Sequence, residues 1–385
     1  MQLKRNNTPY GNGSGESATV MWPRIAVTVS AFLLVVLGIV MVYSASSVVN
    51  INAGTSVYAD ALKQLGLAAV GTLGCLFLAR VLPYHLWRGP LTIGVFGISL
   101  ALLVMTAAIG TESLGAQRWL VLGPVNLQPS EFAKIGVLLA VAKLVADYQE
   151  GDMDSRHFLG FFVALNIVLV ALVFLAQSDL GTTLICFVGI VAILWLAEVR
   201  ARFIGIYAGV VVGFGVIGLF SASYRVERLL SFMHPWDDYY GSGYQLIHSM
   251  YAFAQGGLFG VGLGNSAEKY LYLPEGSTDF IFSVIGEELG LVGSLFVIAL
   301  FLVLLVGGLR MAQAAPDRFG GVLCGSFAII LVFQAFLNIG CVIGFMPITG
   351  KPLPFISSGG SSLIASFMMV GIVMAVSDEV AGKDV

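Results

Sequence analysis

The chain is 385 residues long, 58% hydrophobic and only 11% charged, with a formal net charge of −3. A soluble domain carries about 25% charged residues, so the apolar excess must face lipid, and a soluble enzyme is excluded. The near-neutral balance gives no reason to expect nucleic acid or another polyanion as partner. The four cysteines (Cys75, Cys186, Cys324, Cys341) sit in apolar runs and read as small core residues, and the four histidines are scattered, so neither set suggests a disulfide or metal framework.

Residues 1–23 are polar and rich in Gly, Ser and Asn, and read as a disordered tail. The apolar run at 25–45 exceeds a signal-peptide core of about 7–15 residues and is expected to stay as the first span. Windows of about 20 apolar residues place ten helical spans at 24–45, 61–81, 90–109, 129–146, 158–176, 180–197, 203–222, 280–307, 319–344 and 360–377. The expected fold class is an all-α polytopic membrane protein of about ten transmembrane helices. Its membrane domain spans 24–377, followed by a short tail at 378–385. With the N-terminus inside, 12 of the 19 Lys and Arg fall on inner segments and 7 on outer ones. That bias predicts cytoplasmic N- and C-termini.

Three long connections then emerge on the outer side: 111–128, the large loop 223–279 between spans seven and eight, and 345–359. Long ordered loops in a compact protein are usually functional. Within the large loop, Leu246, Ile247, Met250, Tyr251 and Phe253 share a helical face. This fits either a helix lying in the membrane interface or one packed on the bundle. Gly205, Gly209 and Gly213, four apart, predict close helix contact in the seventh span.

The outer segments carry the candidate chemistry. In GAQRWLVLG (115–123), Arg118 beside Trp119 reads as an aromatic-belt anchor or as a bidentate clamp for pyrophosphate. In NLQPSEFAK (126–134), Pro129 suits a first helical turn that Gln128 or Ser130 could cap. Glu131 and Lys134 share one face there, and either neutralise each other or meet a ligand. GLFGVGLGNSAEK (257–269) has no preceding strand, so its glycines read as sites of close backbone approach rather than a dinucleotide cradle. ITGKPLPFISSGGSS (348–362) is a stiff non-helical crossing, which at membrane depth must line a cavity or be buried in protein. Its Lys351 either snorkels to headgroups or meets phosphate. In LPEGSTDFIFSVIGEELG (273–290), Asp279 either caps the helix that follows, as Ser277 or Thr278 also could, or is functional. One of Glu287 and Glu288 should face the bundle interior, where an ionisable group is a functional hypothesis by default.

These motifs, with QSDLGT (177–182) and GYQLIHS (243–249), resemble the SEDS family (shape, elongation, division, sporulation), over residues 24–376. Members are similar to this chain in GAQRW, QPSEFAK, TDFIF, IGEELG and PLPFIS; they usually carry His, Tyr and Pro where Ser277, Ser358 and Ser178 stand here. The resemblance, strongest to division-type members, implies a ten-span inverting glycosyltransferase that polymerises lipid II into β-1,4 glycan strands. It implies Asp279 as the catalytic carboxylate, acting as base or as ligand of a divalent cation (Mg or Mn), and no organic cofactor. Arg118, Trp119, Glu131, Lys134, Lys269, Glu275, Lys351, Ser357 and Ser361 are the candidate contacts to lipid II and to the growing lipid-linked glycan, with Gln128, Ser130, Glu287 and Glu288 in support. Implied partners are a class B penicillin-binding protein, a transpeptidase, and other division proteins. The implied location is the bacterial cytoplasmic membrane at the division septum. The other readings are a lipid II flippase, and the same polymerase serving elongation or sporulation.

Overall fold

The computed structural model describes residues 17–113, 116–122, 125–270 and 272–382. Residues 1–16 of the expected tail, Gly115 and Gly123 of the first outer motif, and 383–385 lie outside the described residues. The helices are α1 (Ser17–Asn52), α2 (Ala59–Arg80), α3 (Tyr84–Arg88), α4 (Pro90–Ile109), α5 (Pro129–Glu150), α6 (Ser155–Leu169), α7 (Leu180–Leu196), α8 (Ala201–Phe220), α9 (Ser223–Met233), α10 (Tyr244–Gly256), α11 (Ile281–Ala314), α12 (Arg318–Val342) and α13 (Gly360–Gly382). α1 thus starts inside the segment read as a tail. A π-helical stretch, Val170–Ala176, continues α6.

Each of the ten expected spans is a helix. Eight are long and apolar enough to cross a membrane; α7, with 17 residues, is one turn shorter, and α5 carries too many charges to count by composition. α5 is nevertheless among the most buried helices. Four of its five charges are paired along the helix, Lys134 with Glu131 and Lys143 with Asp147, each at 2.8 Å, as spacings of three and four residues allow. α12 and α13 are also mostly enclosed, whereas α8 stands at the periphery. The expected contact along Gly205, Gly209 and Gly213 is not made: no atom of the described chain lies within 4 Å of a side chain built at any of them. α10 buries Leu246, Ile247 and Ala252 and packs on α11, so the packed alternative holds over the interfacial one.

The connection 111–128 is not a plain loop. Strands β1 (Thr111–Ser113), β2 (Ala116–Leu122) and β3 (Val125–Leu127) form an antiparallel sheet in that order, pairing Thr111 with Trp119 and Leu120 with Leu127. The apolar runs on either side of Gly123 and Pro124 are the hairpin signal in the sequence.

Two stretches of irregular backbone enter the bundle, and protein groups supply hydrogen-bond partners to both. The crossing 345–359 lies against mid-α1, where a side chain on Gly38 would meet the Ile356 Cα at 2.7 Å. Three amide side chains serve its carbonyls: Gln64 donates to Ser357 O (3.1 Å), Gln334 to Pro352 O (2.9 Å) and Asn338 to Lys351 O (2.8 Å). The second stretch breaks α11 at Gly290, whose φ of 68° lies in the left-handed region. In an unbroken helix the N–H groups of Leu291 and Val292 would bond to Glu287 O and Glu288 O. Here they bond to Gly257 O and Leu258 O, at 2.9 and 3.2 Å, while Glu287 O and Glu288 O accept from Val261 and Gly262, at 2.9 and 3.1 Å. The glycine-rich segment therefore approaches a helix break, as the motif's small residues require.

This exchange needs Gly260, which has φ 79° and leaves room for a side chain only 2.2 Å from Glu288 O. Gly260→Ala is expected to destabilise the protein by about 2 kcal/mol or more, read as a lower thermal midpoint in detergent. Gly209→Ala, on the open face of α8, should leave that midpoint unchanged.

Candidate active site

A cavity of about 510 Å³ opens where β2, the α6–α7 turn, α9, the 273–280 turn and the crossing converge. Arg118, Trp119, Gln128, Glu275, Asp279, Lys351 and Ser361 line it, together with Ser178, Asp179, Arg225, Arg228 and Ser362. Two non-glycine wall residues, Ser178 (φ 51°) and Glu275 (φ 57°), hold left-handed backbone, a strain that clusters at functional sites.

Asp279 precedes α11, but Phe280 occupies the cap position. The capping role is therefore not what places Asp279. Its turn is docked on the crossing and on α12 instead: Ser357 Oγ donates to Thr278 O (2.6 Å), Ser358 N to Ser277 O (2.9 Å), and Asn338 Nδ2, on α12, to Asp279 O (2.7 Å). Burial pushes the Asp279 carboxyl up to about 6, and the nearby Glu275 carboxylate adds to this; the Lys351 and Arg228 cations act the other way. A carboxyl so poised suits proton acceptance near neutral pH.

The cations arrive by different routes. Arg118, on β2, donates from Nε to Gln177 O (3.1 Å) and from Nη2 to Ser178 O (3.0 Å), which ties the sheet to the α6–α7 turn. Arg225, on α9, donates to Gly218 O (2.7 Å) and lies 4.8 Å above the Phe174 ring. Lys351 is only 4% exposed and neither snorkels nor stands alone. Its Nζ is 2.8 Å from Asp179 Oδ2 and donates to Thr182 Oγ1 at 2.7 Å. Burial alone would raise the Asp179 carboxyl; Lys351 and the Thr182 bonds overcome it and hold that group well below the usual carboxylate range.

Several expected contacts lie elsewhere. Glu131 and Lys134 are fully buried with each other, and Lys134 also donates to Gln334 Oε1 (2.5 Å); neither lines the cavity. Their mutual neutralisation is the outcome, because a lysine in the packed interior keeps its charge only beside a carboxylate. Lys269 is bound to Glu288 Oε1 (3.1 Å), Ser44 Oγ (3.1 Å) and Gly264 O (2.5 Å). Glu287 accepts from Ala267 N (2.6 Å) and Ser266 Oγ (2.5 Å). Both glutamates face inward, and with Lys269 they anchor the glycine-rich segment, away from the cavity. Ser357 supports the crossing by accepting from Leu353 N (2.8 Å). Gln128 occupies the cap position of α5 without a side-chain cap, and its N–H is received by Ser361 Oγ (2.9 Å). Ser130 donates to Asp179 Oδ2 (3.1 Å) instead of capping. Asp179, Arg225, Arg228 and Asn338 were missed. Only Asp179 had a local signal: it caps α7 through Thr182 N, three residues on.

A family model described as "Cell cycle protein", covering FtsW, RodA and SpoVE, matches residues 24–381. The chain is 38% identical over 359 residues to stage V sporulation protein E of Bacillus subtilis, spanning 92% of this chain and 97% of that one. It is 40% identical over 369 residues to the probable peptidoglycan glycosyltransferase FtsW of Geobacter metallireducens, spanning 93% and 95%. A chain in a solved peptidoglycan synthase complex that coordinates polymerization and crosslinking has a TM-score of 0.71 at 29% identity, covering 92% of this chain and 97% of that one. The rod shape determining protein RodA of Thermus thermophilus gives 0.68 at 29% identity, covering 92% and 96%.

The buried Asp179–Lys351 pair makes a stability prediction. Lys351→Met strands a buried carboxylate, for a cost of about 3–5 kcal/mol, read as a fall in thermal midpoint. Adding Asp179→Asn removes the uncompensated charge and should recover most of the loss.

Proposed function

The chain belongs to the cell cycle protein family of FtsW, RodA and SpoVE, and on that premise we propose that it is a peptidoglycan glycosyltransferase that polymerises lipid II into β-1,4 glycan strands at the outer face of the cytoplasmic membrane. The observation that carries this reading is the cavity itself. It sets one poised carboxylate, Asp279, among Arg118, Arg225, Arg228 and Lys351.

Lipid-linked sugars have a polar head, a diphosphate and an apolar tail, so a site at membrane depth suits them. Asp279 takes the proton from the 4-hydroxyl of the acceptor GlcNAc as that oxygen attacks the anomeric carbon of the donor MurNAc. The bond to the diphosphate breaks, and the α linkage becomes β. Charge growing on the leaving diphosphate is met by cations already fixed in place, Arg118 by its carbonyl partners and Arg225 by the C-terminal end of α8 and by Phe174. Lys351 adds its field from within its pair with Asp179. Among the described residues no three His, Cys, Asp or Glu side chains form a metal cage. The carboxylates of Asp279 and Glu275 do fit the sparse protein ligation of Mg or Mn shared with a substrate diphosphate; such an ion would neutralise diphosphate charge.

A flippase would need a polar path through the bundle. Beyond Lys134, α5 continues as fully packed Ile135, Leu138, Leu139 and Val141, which favours catalysis at one face. The FtsW-like relatives support septal wall synthesis in division as the role, with a class B penicillin-binding protein as crosslinking partner and other division proteins alongside.

Purified chain in detergent should polymerise lipid II, and Asp279→Asn should lower the rate by about 10²–10⁴-fold; near-normal polymer from a folded Asn variant would remove Asp279 as base. A base must be deprotonated to act, so kcat/KM should be flat above pH 6 and fall tenfold per unit below it. An acid limb near pH 4 would show an unperturbed carboxyl. The orientation has its own check: Ser242→Cys should react with an impermeant maleimide from outside intact spheroplasts, and labelling only from the cytoplasmic side would invert the topology.

A further inference from the structure

We propose that Asn338 is the positioning residue that sets Asp279 against Lys351, one amide nitrogen holding the main chain of both. The proposal rests on Asp279 being the base. Nδ2 of Asn338 donates to Asp279 O at 2.7 Å and to Lys351 O at 2.8 Å. An amide nitrogen carries two hydrogens, and both are used. The orientation is fixed by chemistry, since both neighbours are carbonyl acceptors and the opposite amide orientation would face oxygen with oxygen.

The two carbonyls belong to segments without regular structure, the turn 275–280 and the crossing 345–359. Neither segment has a helix or sheet ladder to set its distance from the other. Two further bonds, from Ser357 Oγ and Ser358 N, join the segments side to side. Asn338 differs from these because it stands on α12, a well-enclosed helix, and grips the two residues that bear the charges. It is 2% exposed. One turn earlier on the same helix, Gln334 bonds Pro352 O and Lys134, so the helix face that presents Asn338 is itself held. The other amide atom, Oδ1, is buried without a partner among the described residues. That is a cost a side chain kept only for packing would avoid.

A base and a charge stabiliser act together only at the right separation, and a misplacement of about 1 Å can lower turnover about 10²-fold. Asn338→Ala is therefore expected to lower kcat for lipid II polymerisation about 10²-fold per folded molecule, with KM changed less than about threefold. Asn338→Asp, of the same size, removes the two-donor nitrogen and should share the loss, which keeps the test open where the Ala variant does not fold. In an Asp279→Asn background, Asn338→Ala should lower the residual turnover far less than about 10²-fold, because most of its effect runs through that base. Wild-type kcat in both Asn338 variants would overturn the proposal. So would a loss of equal size in the Asp279→Asn background, which a merely structural role predicts. Asp279→Asn alone separates the two failures. If it polymerises normally, the base falls and this proposal with it. If it is inactive while the Asn338 variants are normal, only the positioning role falls.

Discussion

Every backbone N–H and C=O inside a bilayer must find a partner, and this single demand explains most of what is unusual in the fold. A helix meets it alone; a site for a polar substrate at that depth cannot be built from helices only. The chain solves the problem twice. At 345–359 it spends three amide side chains, Gln64, Gln334 and Asn338, on the carbonyls of a proline-rich crossing. At Gly290 it opens α11 and fills the break with the backbone of 257–262, exchanging four hydrogen bonds for the ones the helix gives up. The first device forms one wall of the cavity. The second fixes the start of the helix that follows Asp279.

Charge is handled by the same logic. Buried ions cost several kcal/mol each unless paired and hydrogen-bonded, and the buried ions here are grouped by element. Glu131–Lys134 lies on α5, Lys269–Glu288 joins the glycine-rich segment to α11, and Asp179–Lys351 joins the α6–α7 turn to the crossing. At the far end of the bundle, Arg24 and Arg80 meet Asp378, while Arg88 meets Glu150 and Asp317, closing α1, α2, α3, α5, α12 and α13 together. The cavity holds a carboxyl of a different kind, raised by burial and by the nearby Glu275. The arginines around it are oriented by bonds to carbonyls, Arg118 to Gln177 O and Ser178 O, Arg225 to Gly218 O and Arg228 to Ile348 O.

The amino-acid sequence by itself determined the membrane class, the ten helical segments and the unusual loops between them. Those follow from apolar run length and from proline and glycine punctuation, which are local. It also marked Asp279, Glu287 and Glu288 as carboxylates beside an apolar run that need a reason, and the choice of Asp279 among them is what the family resemblance implied. What it could not rank was the cations. Lys134, Lys269 and Lys351 all stand in or beside the unusual connections, and nothing local says which of them reaches the cavity. Only the tertiary structure showed the first two locked in ion pairs away from the cavity and the third paired with Asp179 at its edge. The sheet of β1–β3 and the contributions of Asp179, Arg225, Arg228 and Asn338 were decided there too. The reason is geometric. Which face of a helix is turned inward, and which carbonyl a distant amide reaches, depend on how helices rotate and pack against partners hundreds of residues away, and no local pattern encodes that rotation.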